Sequence, residues 1–366
     1  MRRKYITSAV LGLAMLGGSI GPVMAEALKI GALLPLTGPA SPVGIQQQQG
    51  VQFAIDQFNA NGGLHGDPVE IVFDDSQGKP DQGVLAFNRL ADLQGAPTML
   101  TAFSSISLAI APLATRREIL VMNPAAQSDK LEKASPYLFN TIPLVNAEVG
   151  VIADFAKGKL GSRAAIIYEN GTAGLDSRND FNKHFKKIGG EVVADEPVEF
   201  GQTNYRAALL KIADSKPDFV FIAITQSHEA LIDQISQIPD FPTGVGTTFL
   251  TLFHGYENTE GWYQTAIKSG FPEDALHTAF NAEYGTEEMP YFAREYYNTT
   301  NVILKTAEKL VADGTELTGP NLREAMLEID TFDSSIATVT FAGGNNAKRV
   351  IEVQQFVGDE RQTVVQ

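Results

Sequence analysis

Catalysis needs nucleophiles, bases or metal ligands brought close together, and the chain offers few candidates. It has no cysteine, so disulfides, thiolate nucleophiles, zinc–sulfur sites and iron–sulfur clusters are excluded. Its five histidines, His65, His184, His228, His254 and His277, follow no metal-ligand spacing, so no metal is expected. There is no Gly-x-Ser-x-Gly elbow, no Walker loop and no His-Glu-x-x-His. The pair Gly244 and Gly246 lacks the third glycine of a dinucleotide fingerprint and reads as a turn, so no cofactor is expected. Asp74 and Asp75 are adjacent carboxylates at a strand end, but neighbours on a strand point to opposite faces. Turn formation and helix capping account for them better than paired acid–base work.

Binding chemistry is more visible. The stretch Thr98 to Ser107 reads as a buried strand that ends in hydroxyls, at Ser104 and Ser105, where a helix should begin. The first N–H groups of a helix lack intrahelical partners and carry partial positive charge, so such a terminus can hold a carboxylate without any arginine. A second strand end, Val121 to Ser128, has small residues at Ala125 and Ala126, where backbone can approach a ligand closely.

These positions need a scaffold. The 366 residues are 44% hydrophobic and 19% charged, enough apolar material for a core and too much for two cores to be avoided. The net charge of −15 with no basic run argues against nucleic acid as a partner. Arg2, Arg3 and Lys4 precede an apolar stretch, Ala9 to Ile20, too short and glycine-broken to span a bilayer. With small side chains before Glu26, this predicts a secretory signal cleaved after Ala25 and a product free in the periplasm. Arg2-Arg3 also fits a weak twin-arginine pattern.

From Ala27 onward, short apolar runs alternate with amphipathic segments, the pattern of strands and crossover helices in a parallel α/β sheet. The first series predicts strands at 28–34, 69–73, 98–103 and 119–122 with helices at 43–59, 81–93 and 105–116. The second predicts strands at 164–168, 191–193, 219–223 and 245–250 with helices at 147–156, 175–188, 205–213 and 227–237. A helical tail, 289–312 and 321–329, then precedes strands at 336–341 and 349–356. The expected fold is α/β, with two Rossmann-like doubly wound lobes. The expected lobes are 26–142 plus 279–345, and 143–278 plus 346–366, with a ligand cleft between them.

Four segments together carry a resemblance: Ile30 to Pro39, Gly50 to Gly63, Phe103-Ser104-Ser105 and Asn123-Pro124-Ala125-Ala126. They resemble the periplasmic Leu/Ile/Val-binding proteins that feed ABC transporters, within the type I periplasmic binding fold. The resemblance implies two lobes joined by three hinge crossings and closing on a small ligand. It implies a monomer that delivers its ligand to an inner-membrane ABC permease, with no catalysis. Carried over by position, Ser104 matches the serine that binds the ligand carboxylate, with Ser105 beside it. Ala125, next to Ala126, matches the alanine whose backbone helps hold the ligand. Gln127 falls where a Thr or Ser hydroxyl is usual, Val43 at the aromatic site of the first loop and Ala173 where tyrosine is common. The second-lobe aromatic position falls at Thr225 or Gln226, and the acidic one near Leu250 to Leu252, where no glutamate is in register. An ammonium group would then lack its carboxylate. Phe103, Phe249, Phe253, His254 and Tyr256 are candidate aromatic walls for another carboxylate or an amide. A sensor or regulator subunit for an amide or urea-like molecule is the alternative use of the same fold.

Overall fold

The computed structural model describes residues 27–268, 274–358 and 360–365; the expected signal segment, 1–25, lies outside them. Apolar runs form the strands of two sheets. In the first, β1 (Lys29–Leu34), β2 (Glu70–Asp75), β3 (Thr98–Leu100), β4 (Leu120–Asn123) and β5 (Leu138–Asn140) run parallel in the order β2-β1-β3-β4-β5. Helices α1 (Ser41–Ala60), α2 (Pro80–Asp92) and α3 (Ser104–Arg117) cross between its strands.

The second sheet begins with β6 (Arg163–Glu169), β7 (Glu191–Val198), β8 (Phe219–Ala223), β9 (Thr243–Gly246) and β10 (Tyr263–Ile267). These are parallel in the order β7-β6-β8-β9-β10, the same winding as the first sheet. Its helices are α4 (Val145–Lys159), α5 (Thr172–Lys187), α6 (Arg206–Asp214) and α7 (His228–Ile235). Two antiparallel strands, β13 (Ile351–Val357) and β14 (Glu360–Val365), extend it beyond β10. Between these lie α8 (Asp274–Tyr284), α9 (Tyr291–Ala312), α10 (Gly319–Ile329) and a small hairpin of β11 (Thr331–Phe332) with β12 (Val339–Thr340).

Both lobes are therefore doubly wound α/β units. In each, the chain reverses its direction of strand addition beside the first strand, which opens a crevice at the carboxyl ends of the strands. α9 returns to the first lobe, where Tyr296, Val302, Ile303 and Ala307 join the core under β1 and β3. It lies so close to α1 that a Cβ on Gly50 would come 2.1 Å from the Ala293 carbonyl oxygen. The chain passes between lobes at 141–144 and again at 348–350; α8, packed on the first lobe through Phe280, is joined to β10 through residues outside the described set.

Several expected boundaries shift. Residues 243–246 form a ladder strand rather than a turn, and the strand expected to run to 250 gives way to a 3-10 turn at Thr248–Phe253. β3 stops at Leu100 because Phe103 turns into α3 with φ 60° and ψ 137°. α5 starts at Thr172, three residues before the expected start. The paired aspartates organise turns: Asp74 binds Arg89 at 2.6 Å, and Asp75 accepts from the Leu36 N–H at 2.9 Å and the Thr37 hydroxyl at 2.5 Å. Hydrogen bonds from these donors hold Asp75 below the ordinary carboxylate range, against the opposing effect of burial.

Candidate functional site

A cavity of ≈ 220 Å³ lies where the two crevices face each other. The first lobe contributes Gly78, Phe103, Ser104 and Ser105; the second contributes Glu169, Gly171 to Gly174, Phe200 and Thr225. All follow or end strands at their carboxyl ends, as the winding requires.

Two helix N-termini meet there. At α3, Phe103 holds the N-cap position and no side chain caps the helix; at α5, Gly171 does the same. Neither first turn contains an acidic residue. The open N–H groups and the aligned peptide dipoles thus present positive potential to the cavity from both sides. Ser104 is not spent on capping its own helix. Its hydroxyl accepts from the Ser128 N–H at 3.2 Å, which ties α3 to the segment after β4. The start of α5 is pressed onto the end of β6: a Cβ on Gly174 would come 2.1 Å from the Glu169 carbonyl oxygen.

The opposite charge comes from Glu169, the last residue of β6. It is 5% exposed and accepts from the Thr225 hydroxyl at 2.7 Å and the Gln226 N–H at 2.9 Å. Burial pushes its carboxyl above the ordinary range, and the Thr225 and Gln226 donors work against that rise. Phe103 and Phe200 meet edge to face at 6.3 Å, closing an aromatic wall across the two lobes. The arrangement offers donors for an anion, a carboxylate for a cation and an apolar side.

Of the positions expected from sequence, Ser104, Ser105, Ala173 and Thr225 come together in this cavity. The others are placed elsewhere. Val43 is buried in the first-lobe core. The N–H groups of Ala125 and Ala126 are taken by Asn123 Oδ1, at 3.3 and 2.7 Å, rather than offered to the cleft. Gln127 is 1% exposed and its amide donates to Glu148 on α4, a bond between the lobes. The Gln226 side chain is buried, with an amide nitrogen lacking any partner. Among the expected aromatic walls only Phe103 lines the cavity: Phe253 and Tyr256 pack in the second-lobe core, Phe249 stacks on Phe292 and His254 lies against Phe356.

Sequence reasoning missed Glu169, Phe200 and the α5 N-terminus. No acidic residue is in register near Leu250 to Leu252, and the carboxylate that lines the cavity, Glu169, closes β6. The available signal was an acid closing a buried strand immediately before Asn170-Gly171-Thr172, at the carboxyl end where α/β ligands bind.

The periplasmic binding protein family model matches residues 27–359. The chain belongs to this family. The leucine-, isoleucine-, valine-, threonine- and alanine-binding protein of Pseudomonas aeruginosa is 24% identical over 90% of both chains. A Leu/Ile/Val-binding protein homolog of Brucella melitensis is 25% identical over 64% of this chain and 63% of that one, so the match spans under two thirds of that relative. Two solved structures share the fold at a TM-score of 0.82. One is a branched-chain amino acid transporter substrate-binding protein from Streptococcus pneumoniae in complex with isoleucine, 19% identical over 93% of this chain and all of that one. The other is a solute-binding protein from R. palustris in complex with benzoate, 20% identical over 93% and 96%.

Proposed function

We propose that this chain is the substrate-binding component of an ABC transporter of the branched-chain amino acid type. It captures a small amino acid, or a carboxylate of similar size, and delivers it to an inner-membrane permease. The observation that carries this reading is the pairing of two uncapped helix N-termini with the buried Glu169 in one cavity. The N-termini receive the ligand carboxylate, with Ser104 and Ser105 beside it. Glu169, held by Thr225 and the Gln226 backbone, receives an ammonium. Phe103 and Phe200 cover the side chain. A zwitterion satisfies both ends of such a site, and a buried carboxylate gains most from a charged partner.

Binding proceeds by hinge closure, because contacts from both lobes exist together only when the lobes meet. The lobes are those expected, 26–142 with 279–345 and 143–278 with 346–366, except that α8 joins the first lobe whole and the last boundary moves to 348–350, since the Ala347 and Lys348 N–H groups donate to the Asn140 and Thr340 carbonyls. The protein works as a monomer in the periplasm after cleavage behind Ala25, and it binds its ligand without transforming it. The named ligands of the relatives agree with a carboxylate-bearing solute.

A thermal-shift screen tests the reading, using mature protein stripped of bound solute by unfolding and dialysis. Selective stabilisation by α-amino acids or aromatic carboxylates supports it. A response only to uncharged amides overturns the charge assignment, and turnover of any stabilising compound overturns the transport role.

A further inference from the structure

Phe200 belongs to the loop between β7 and α6, and the loop is built to hold it out over the cleft. The Gln202 N–H donates to the Glu199 carbonyl at 3.0 Å, and Gly201 takes a φ of 76°, the conformation that the third position of a type II turn requires. The Gln202 side chain accepts from the Glu199 N–H at 3.2 Å, and Asn170, just before α5, donates to the Glu199 carboxylate at 3.3 Å. Phe200 thus occupies the second, projecting position of a turn tied down on both sides. It is 46% exposed, the one aromatic among the large apolar side chains left exposed in the described residues.

Its ring meets Phe103 of the first lobe edge to face, with the planes 88° apart, and both rings line the cavity. Phe103 keeps its place with a φ of 60°, a backbone region that costs free energy for any residue with a side chain. The polar contacts at the same rim hold the lobes less firmly. Lys130, in its pair with Asp176, is 62% exposed, and an ion pair so exposed is screened by water and salt. The Ser128 hydroxyl that donates to Asp176 finds water when the lobes part. The aromatic contact takes apolar surface out of water when the lobes meet and returns it when they separate.

We propose that Phe200 is the latch of the cleft, a positioning residue that holds the lobes closed over bound solute by docking on Phe103. The latch rests on hinge closure, as proposed above, and not on which solute the cleft takes. A contact that exists only in the closed state shifts the equilibrium toward that state with or without ligand, so its effect is measurable in the ligand-free protein.

The chain has no cysteine, so Leu85→Cys on α2 and Lys183→Cys on α5, both exposed positions, supply the only thiols for spin labels. Pulsed electron paramagnetic resonance on the mature protein, stripped of solute, reads the closed and open populations as short and long distances. Phe200→Ala should lower the closed-to-open ratio by about two- to ten-fold, with a nearly unchanged melting temperature because the side chain is half exposed. Phe200→Tyr, which keeps the ring, should keep the wild-type ratio. Phe103→Leu should lower the ratio and add nothing to Phe200→Ala in the double variant, since one contact is lost once; additive effects would show that the rings act separately and overturn the latch. A ratio that ignores Phe200→Ala also overturns it. Added isoleucine or benzoate then decides the fate of hinge closure: a distance that shortens with either leaves closure standing, and one that stays fixed removes closure as well.

Discussion

The Lys130 ammonium, from the first lobe, lies 2.9 Å from the Asp176 carboxylate on α5 of the second. The Ser128 hydroxyl donates to the same carboxylate, so the rim of the cleft is bridged by charge as well as by the Phe103–Phe200 contact. Beside this bridge is a less favourable one. Asp129 faces Asp180, also on α5, with Asp176 nearby, and it accepts from the Asn146 N–H at 3.1 Å.

Burial, with the adjoining Asp180 carboxyl, pushes Asp129 up to about 7. Two carboxylates in hydrogen-bond contact share one proton. When the lobes part, Asp129 returns toward the ordinary carboxylate range near 4. Closure thus takes up a proton between those limits, so it is favoured as pH falls below about 7 and weakened as pH rises through it. Ligand affinity should drop by up to about ten-fold per pH unit as pH rises from about 4 to about 7, the limit for one linked proton, and level off above that point. Asp129→Asn should flatten the profile while Lys130 and Asp176 keep their pair. Calorimetry of one ligand across this range checks both, and an unchanged slope in the variant would remove Asp129 from the linkage.

Glu169→Gln removes charge from the floor of the cleft; its amide oxygen can still accept from the Gln226 N–H, while the Thr225 hydroxyl, free to rotate, accepts from the amide nitrogen instead. An α-amino acid ligand should lose about 2 kcal/mol or more of binding, roughly thirty-fold. A carboxylate without an ammonium should be spared, since the helix N-termini that hold it are untouched. Competition between an amino acid and an aromatic acid, measured on wild type and variant, reads the difference directly.

How far this site could be read from sequence depends on where its groups lie along the chain. Ser104 and Ser105 were legible because hydroxyls follow a buried strand and open a helix, a local pattern. Both doubly wound lobes were legible for the same reason, as apolar runs alternating with amphipathic ones. Glu169 was not, because its role depends on Thr225 and Gln226, more than fifty residues away. Gln127 and Val43 show the converse. Their positions pointed at a ligand, while the partner that occupies Gln127, Glu148, and the core that encloses Val43 arise only from tertiary packing.

The contact between α1 and α9 makes a prediction separate from binding. Gly50 leaves no space for a methyl group, since the Ala293 carbonyl oxygen would lie 2.1 Å from its Cβ. Gly50→Ala gains helix propensity of about 1 kcal/mol, yet the overlap forces the helices apart at a cost of about 1–3 kcal/mol or more. The second effect wins because the obstacle is backbone. Chemical denaturation should show a net loss of stability, with ligand affinity of the folded fraction little changed because the cleft lies on neither helix. A variant as stable as wild type would show that α9 can move away freely.

Glu148 offers the strongest test of what holds the lobes to one hinge geometry. It is fully buried and accepts from the Thr248 N–H at 2.7 Å, the Thr248 hydroxyl at 2.6 Å, the Thr265 hydroxyl at 2.5 Å and the Gln127 amide. Burial raises its pKa, and the Thr248, Thr265 and Gln127 donors oppose the rise. Glu148→Ala leaves four buried donors without an acceptor. Even a partial rearrangement leaves a loss of about 3 kcal/mol, since each orphaned group costs about 1–3 kcal/mol. Three of those donors belong to the second lobe and one, Gln127, to the segment that leads from the first lobe to the hinge. Gln127→Ala should therefore cost less stability than Glu148→Ala, because Glu148 keeps its other three donors, while it releases the hinge segment. Small-angle scattering with and without ligand distinguishes the two effects: Gln127→Ala should widen the ligand-free distribution of sizes at nearly wild-type stability. An unaltered distribution would place the restraint on the lobes at Asp176 and its rim contacts instead.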